Sequence, residues 1–156
     1  MHLRAFCLFS ILMLAVMLAT HAQPALADGH GAKENGKMPS KILTVVTSPD
    51  HQTQAMAFIL TLQALKNGAE AQVLLCGPAG QTAVKGVEQA PLKPKGMTPA
   101  KLMMAAQKQG AKVQVCALFL PNAGLDAGAL AEGVTAARPP EIGAVMADPA
   151  VRYFTF

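Results

Sequence analysis

The chain has 156 residues, 52% of them hydrophobic and 14% charged, with a formal net charge of +4 and a mean hydropathy of +0.33. Such a balance excludes a disordered chain, which needs low hydrophobicity and high charge, and three cysteines are too few for a small domain stapled by disulfides. Lysines are spread along the chain and aromatic residues make up only 4%, which argues against a nucleic-acid surface, where a basic stripe is interleaved with stacking partners.

The apolar excess sits first at the start. Arg4 precedes a run from Ala5 to Ala19 broken only by Ser10, followed by Thr20, His21, Pro24 and the small-x-small segment Ala25-Leu26-Ala27. A short basic end, about fifteen apolar residues and a small-residue site describe a secretory signal peptide over residues 1–27. A membrane anchor would need about twenty apolar residues. Cleavage after Ala27 removes Cys7 and leaves twelve Lys/Arg against nine Asp/Glu. The expected product is a periplasmic protein with a formal charge of +3 and no membrane attachment. Residues 28–40, polar and rich in glycine, read as a flexible lead-in, with His30 a solvated residue rather than a metal ligand.

A single domain is expected over residues 41–156. Ile42 to Thr47 is β-branched and nearly continuously apolar, as in a strand covered on both faces. Ser48-Pro49 reads as an N-cap and first-turn proline. Ala55, Phe58, Ile59, Leu62 and Leu65 recur at helical spacing, and Gly68 closes that helix. Ala71 to Cys76 is a second strand ended by Gly77-Pro78. Residues 79–96 are weakly patterned, with Pro91, Pro94 and Gly96 in a loop. Thr98-Pro99 starts a helix with Leu102, Met103, Ala105 and Ala106 on its apolar side, and Gly110 ends it.

Val113 to Cys116 is a third strand. A short helical stretch broken by Gly124 comes next, then a segment capped by Asp126 and ending at Gly133. Val134 to Ala137 is a fourth strand, Pro139 to Ala147 a helix, and Val151 to Phe156 a fifth strand. Strands alternating with helices at this spacing predict an α/β fold, a three-layer α/β/α domain with a parallel sheet of about five strands in a flavodoxin-like layout.

Ligands in such sheets bind beyond the carboxyl ends of the strands. There the chain delivers Ser48 and His51, then Cys76 and Gly77, then Cys116. No phosphate loop, no dinucleotide fingerprint, no Gly-x-Ser-x-Gly elbow and no pair of carboxylates near one strand end is present, so no cofactor is expected. The thiols remain. Cys116 ends a strand before a helix-compatible stretch, where a helix N-terminus would favour the thiolate; the competing reading is a packed, inert cysteine. Cys76, followed by Gly77-Pro78, shows no helix start and reads as structural. With the first strand between the second and third, the two Cα atoms would stand about 9–10 Å apart, too far for a disulfide, and both thiols would stay free. His51 reads as a solvated helix-start residue more readily than as a proton carrier or ligand. The methionines, including Met103 and Met104 on a helix face, read as packing rather than a copper site, and no metal is expected.

The segment Gly110-Ala111-Lys112-Val113-Gln114-Val115-Cys116, then Gly124-Leu125, Leu130 and Gly133-Val134, and the ending Asp148-Pro149-Ala150-Val151-Arg152-Tyr153-Phe154-Thr155-Phe156 resemble the DsrE/DsrF-like family over residues 41–156. The resemblance implies a five-stranded α/β/α subunit assembling as a homo-oligomer, a trimer or hexamer. It also implies a sulfur relay in which a strand-ending cysteine, here Cys116, carries sulfane sulfur as a persulfide. A sulfur donor or an acceptor protein thiol would be its partner, with Ser48 and Asn122 as further donors to the anion. The alternative on the same scaffold is a non-catalytic subunit for small-ligand or metal binding or for assembly.

Overall fold

The computed structural model describes residues 41–156; the expected signal peptide and lead-in lie outside the described residues. Five strands form one sheet: β1 (Lys41–Val46), β2 (Glu70–Leu75), β3 (Lys112–Val115), β4 (Thr135–Ala136) and β5 (Val151–Thr155). The helices are α1 (His51–Lys66), α2 (Pro99–Lys108), α3 (Phe119–Ala123) and α4 (Pro139–Ala147), with 3-10 segments at Gly77–Ala83 and Ala127–Ala129. All pairings are parallel, as the βαβ pattern requires. Among the described residues, no helix is long and apolar enough to cross a membrane.

The strand order is β4-β3-β2-β1-β5. That corrects the arrangement with β1 in the middle of β2 and β3: β2 holds that place. The chain steps from β1 to β2, β3 and β4 in one direction, then crosses the whole sheet to lay β5 on the far side of β1. Right-handed crossovers in one direction put their helices on one face, and a reversed crossover puts its helix on the other. So α1, α2, α3 and the first 3-10 segment share a face, while among the described residues α4 alone covers the opposite one.

Side-chain alternation along each strand separates the two faces. Ile42 and Val46 of β1, Val73 and Leu75 of β2, and Val113 and Val115 of β3 point into the larger core with Phe58 of α1, Met103 of α2 and Phe119 of α3. Leu43, Leu74, Ala137 and Val151 point the other way, against Ile142 of α4. On the thick face the hydroxyl of Thr61 donates to Ala57 O (2.8 Å) and pairs with the Thr44 hydroxyl (3.1 Å), so neither buried oxygen is left unsatisfied.

Local signals in the sequence explain most element ends. Thr98 caps α2, accepting from Lys101 N, with Pro99 in the first turn. α1 differs: Asp50, not Ser48, is its cap, its carboxylate accepting from Thr53 N and the Thr53 hydroxyl at 2.8 Å each. Those bonds hold the Asp50 carboxyl below the usual range. Ser48 instead closes a small turn in front of the cap, its Oγ accepting from Asp50 N (3.1 Å), so Pro49 lies just outside the helix.

Candidate functional site

The carboxyl ends of β2 and β3 are the site's frame. Leu75 and Val115 are paired in register, and the pairing runs one residue further. Cys76 N–H donates to Val46 O and Cys116 N–H to Leu75 O, both at 2.8 Å. Cys76 and Cys116 therefore stand side by side on neighbouring strands, with Cα atoms about one strand spacing, or 4.8 Å, apart. Both side chains pack against the small core of the thinly covered face with Val45 and Val145, and Cys116 also touches the larger core. The expected separation of two strand spacings is thus overturned, because it rested on the wrong strand order. Both thiols are free and half-buried.

The backbone after each cysteine also departs from the sequence reading. A helical segment does begin at Cys76: Gly77 at φ +53° bends the chain immediately after the strand, and Cys76 is the N-cap of the Gly77–Ala83 segment, with Pro78 in its first turn. After Cys116 the helix starts later. Phe119 N–H donates back to Cys116 O (3.0 Å), Leu118 is the cap, and α3 runs for five residues to the left-handed Gly124. Among the described residues the N–H groups of Ala117 and Leu118 have no hydrogen-bond partner.

A groove of about 460 Å³ opens here, lined by Gly77, Pro78, Gln81, Cys116, Leu118, Phe119 and Asn122 among others. Its two walls, the 3-10 segment and α3, meet where the Phe119 ring packs on Gly80; a Cβ at Gly80 would sit 2.6 Å from ring carbons, so only glycine fits. Asn122 lines the groove, but its Nδ2 donates to Leu118 O (2.7 Å) and ties down its own helix. The Cys76 thiol lies just behind, pushed up to about 11 by burial first and then by the charge and hydrogen bond of the Cys116 sulfur beside it. Cys76 thus holds its proton, and Cys116 is the sulfur the groove presents.

Of the residues expected at the site, the structure brings together Cys76, Gly77, Cys116 and Asn122. Ser48 and His51 do not line the groove. Ser48 belongs to the β1–α1 turn, where its N–H donates to Phe156 O (3.3 Å) and its carbonyl accepts from Gln54 Nε2 (2.8 Å). His51 is the first residue of α1. Missed in the sequence was a polar ladder on the same face as the thiols: Gln72 Nε2 donates to Gln114 Oε1 (2.8 Å). Gln72 shares the strand parity of Cys76, and Gln114 that of Cys116, a signal that would have placed both thiols on one face. A larger groove of about 750 Å³ lies between α1 and the loop Pro91–Met97, lined by Met56, Ile59, Leu62 and Lys93 among others; it contains no nucleophilic thiol. Among the described residues no group of three or more His, Cys, Asp or Glu side chains is placed to hold a metal ion.

Neither the family models nor the curated proteins contain a match to this chain. Solved structures do. The ychN protein from E. coli is similar over 75% of this chain and 99% of its own, with a TM-score of 0.59 at 16% identity. The protein of unknown function MTH1491 from Methanobacterium thermoautotrophicum is similar over 74% of this chain and 98% of its own, at TM-score 0.58 and 14% identity. The fold is DsrE-like. Its five parallel strands and flanking helices are the layout expected from the sequence, and in this chain the carboxyl edge of β2 and β3 carries Cys76 and Cys116.

Proposed function

We propose that the protein is an exported sulfur-transfer protein in which Cys116 accepts sulfane sulfur from a small persulfide or polysulfide and holds it as a persulfide for a partner thiol. The observation that carries this reading is the Cys116 sulfur lining an open groove at the carboxyl edge of the sheet. The groove gives a linear sulfur chain room to approach. The unpartnered N–H groups of Ala117 and Leu118 are available to the anion, as thiolate chemistry requires. The DsrE-like fold is consistent with a sulfur-relay family. The leader read over residues 1–27 supports a periplasmic location.

Self-association into a trimer or hexamer belongs to the same proposal. β5 is an edge strand with Arg152, Tyr153, Phe154 and Thr155 exposed, and an uncovered edge invites pairing with another chain. Leu118, at the groove, is 71% exposed, so a second subunit would find an apolar contact there.

Mass spectrometry of the reduced protein after exposure to polysulfide tests the carrier reading. One added sulfur, about 32 Da, is expected on the native chain and is lost in Cys116→Ser. A native chain that neither gains sulfur nor ends about 2 Da lighter, or an addition that survives the substitution, overturns it and leaves the non-catalytic binding or assembly subunit.

A further inference from the structure

The native register of β2 and β3 places a second thiol against the one in the groove. Resting on the carrier reading, we propose that Cys76 is the resolving thiol of Cys116, so that the pair reduces bound sulfane sulfur and releases it as hydrogen sulfide.

Three observations support it. The two residues come directly after Leu75 and Val115, which are paired, and the bond from Cys116 N–H to Leu75 O continues that ladder. Their Cα atoms thus fall near 4.8 Å, inside the approximate 4.4–6.8 Å range that a disulfide spans. Both side chains leave the sheet on the same face and pack on the same small core, so no strand has to turn for the sulfurs to meet. Finally, the two thiols differ in setting: Cys116 lines the groove, whereas Cys76 is absent from its lining. An incoming donor meets Cys116 first, and the neighbour outside the groove lining is kept for the second step.

The chemistry balances. A donor persulfide RSSH transfers its outer sulfur to the Cys116 thiol, giving Cys116–S–SH and RSH. The Cys76 thiolate then attacks the inner, Cys116-bound sulfur. The sulfur–sulfur bond to the outer atom breaks, the Cys76–Cys116 disulfide forms, and the outer sulfur leaves with the Cys76 proton as H2S. The two cysteine sulfurs are oxidised by one electron each and the sulfane sulfur is reduced by two. A dithiol reductant returns the pair to the free thiols, itself becoming a disulfide.

The test treats the reduced full chain with glutathione persulfide and follows intact mass together with hydrogen sulfide. For the native chain, a transient gain of about 32 Da gives way to a loss of about 2 Da relative to the reduced protein, with about one equivalent of H2S per chain. Cys76→Ser and Cys76→Ala are expected to keep the gained sulfur and to release at least tenfold less H2S, and peptide mapping of the native product is expected to show Cys76 joined to Cys116. A native chain that retains the added sulfur as stably as both Cys76 variants, with no loss of 2 Da, overturns the resolving role and leaves the carrier intact. Failure of the native chain and both Cys76 variants alike to take up sulfur overturns the carrier reading itself.

Discussion

The two faces of the sheet are built to different standards. One carries α1, α2 and α3, with Phe58, Leu75, Met103, Val73 and Val113 almost without solvent contact. The other carries, among the described residues, only α4, a nine-residue helix whose single buried residue is Ile142, and between its few apolar contacts stand two glutamines and two thiols. The first face is where the stability resides; the second can hold reactive groups because less packing depends on it. Cys116 stands where the two meet, packed against both cores.

Substitutions sharpen that contrast, starting with the strongest. Phe58→Ala is expected to destabilise by about 3–5 kcal/mol and Ile142→Ala by about 2 kcal/mol, since truncation costs most where neighbours cannot close in; denaturant unfolding of the two variants checks the order. Equal losses would remove the distinction between the faces. Gly80→Ala drives a methyl into the Phe119 ring and should cost about 1–3 kcal/mol, and it should also alter the rate at which a thiol reagent labels Cys116, because Phe119 is a wall of the groove.

Gln54→Leu comes next. Gln54 accepts from the Thr82 hydroxyl (2.6 Å) and donates to Ser48 O, so its loss removes one bond from the buried Thr82 and one from the half-buried Ser48 carbonyl, for about 1–3 kcal/mol. No comparable loss is expected from Asn122→Ala, whose amide bonds only its own helix.

The smaller effects are electrostatic. Cys76 binds its proton more tightly folded than unfolded, its value rising from 9.0 to about 11. Its contribution to stability is therefore complete below pH 9 and lost as pH rises through about 11; stability measured across that window should fall in the native chain and fall less in Cys76→Ala. Smallest is Asp148→Asn. Asp148 is held below the usual carboxylate range by Ala150 N–H first and then by Lys41, whose Nζ lies 2.9 Å away. Stability from this carboxylate is present at neutral pH and lost as pH falls below its lowered value, a slight acid-side difference that Asp148→Asn should abolish.

Much of this architecture could be read from one sequence, for reasons that also mark where reading stops. Runs such as Ile42–Val46 and Val113–Val115 leave little but a covered strand, and Thr98-Pro99 admits one helix start. At Ser48-Pro49-Asp50 two capping residues compete, and only the bond from Thr53 N–H decides for Asp50. The order of strands is a different matter. Placing β1 or β2 in the centre satisfies crossover handedness equally well, and the choice is made by long-range packing that local pattern does not encode. The site inherited that ambiguity. Cys116 was legible as a strand-ending thiol, whereas Cys76 became its neighbour only with the observed order, and Gly77-Pro78 disguised a helical start as a loop.

The register that sets Cys76 against Cys116 also fixes what a bond between them would enclose. About 40 residues lie between the two sulfurs along the chain, including the 3-10 segment, α2 and β3, and tying off a loop of that length removes chain entropy from the unfolded state worth about 4 kcal/mol. Oxidised and thiol forms should then melt at different temperatures, the oxidised form higher. Heat resistance would become a readout of how recently the protein had turned over.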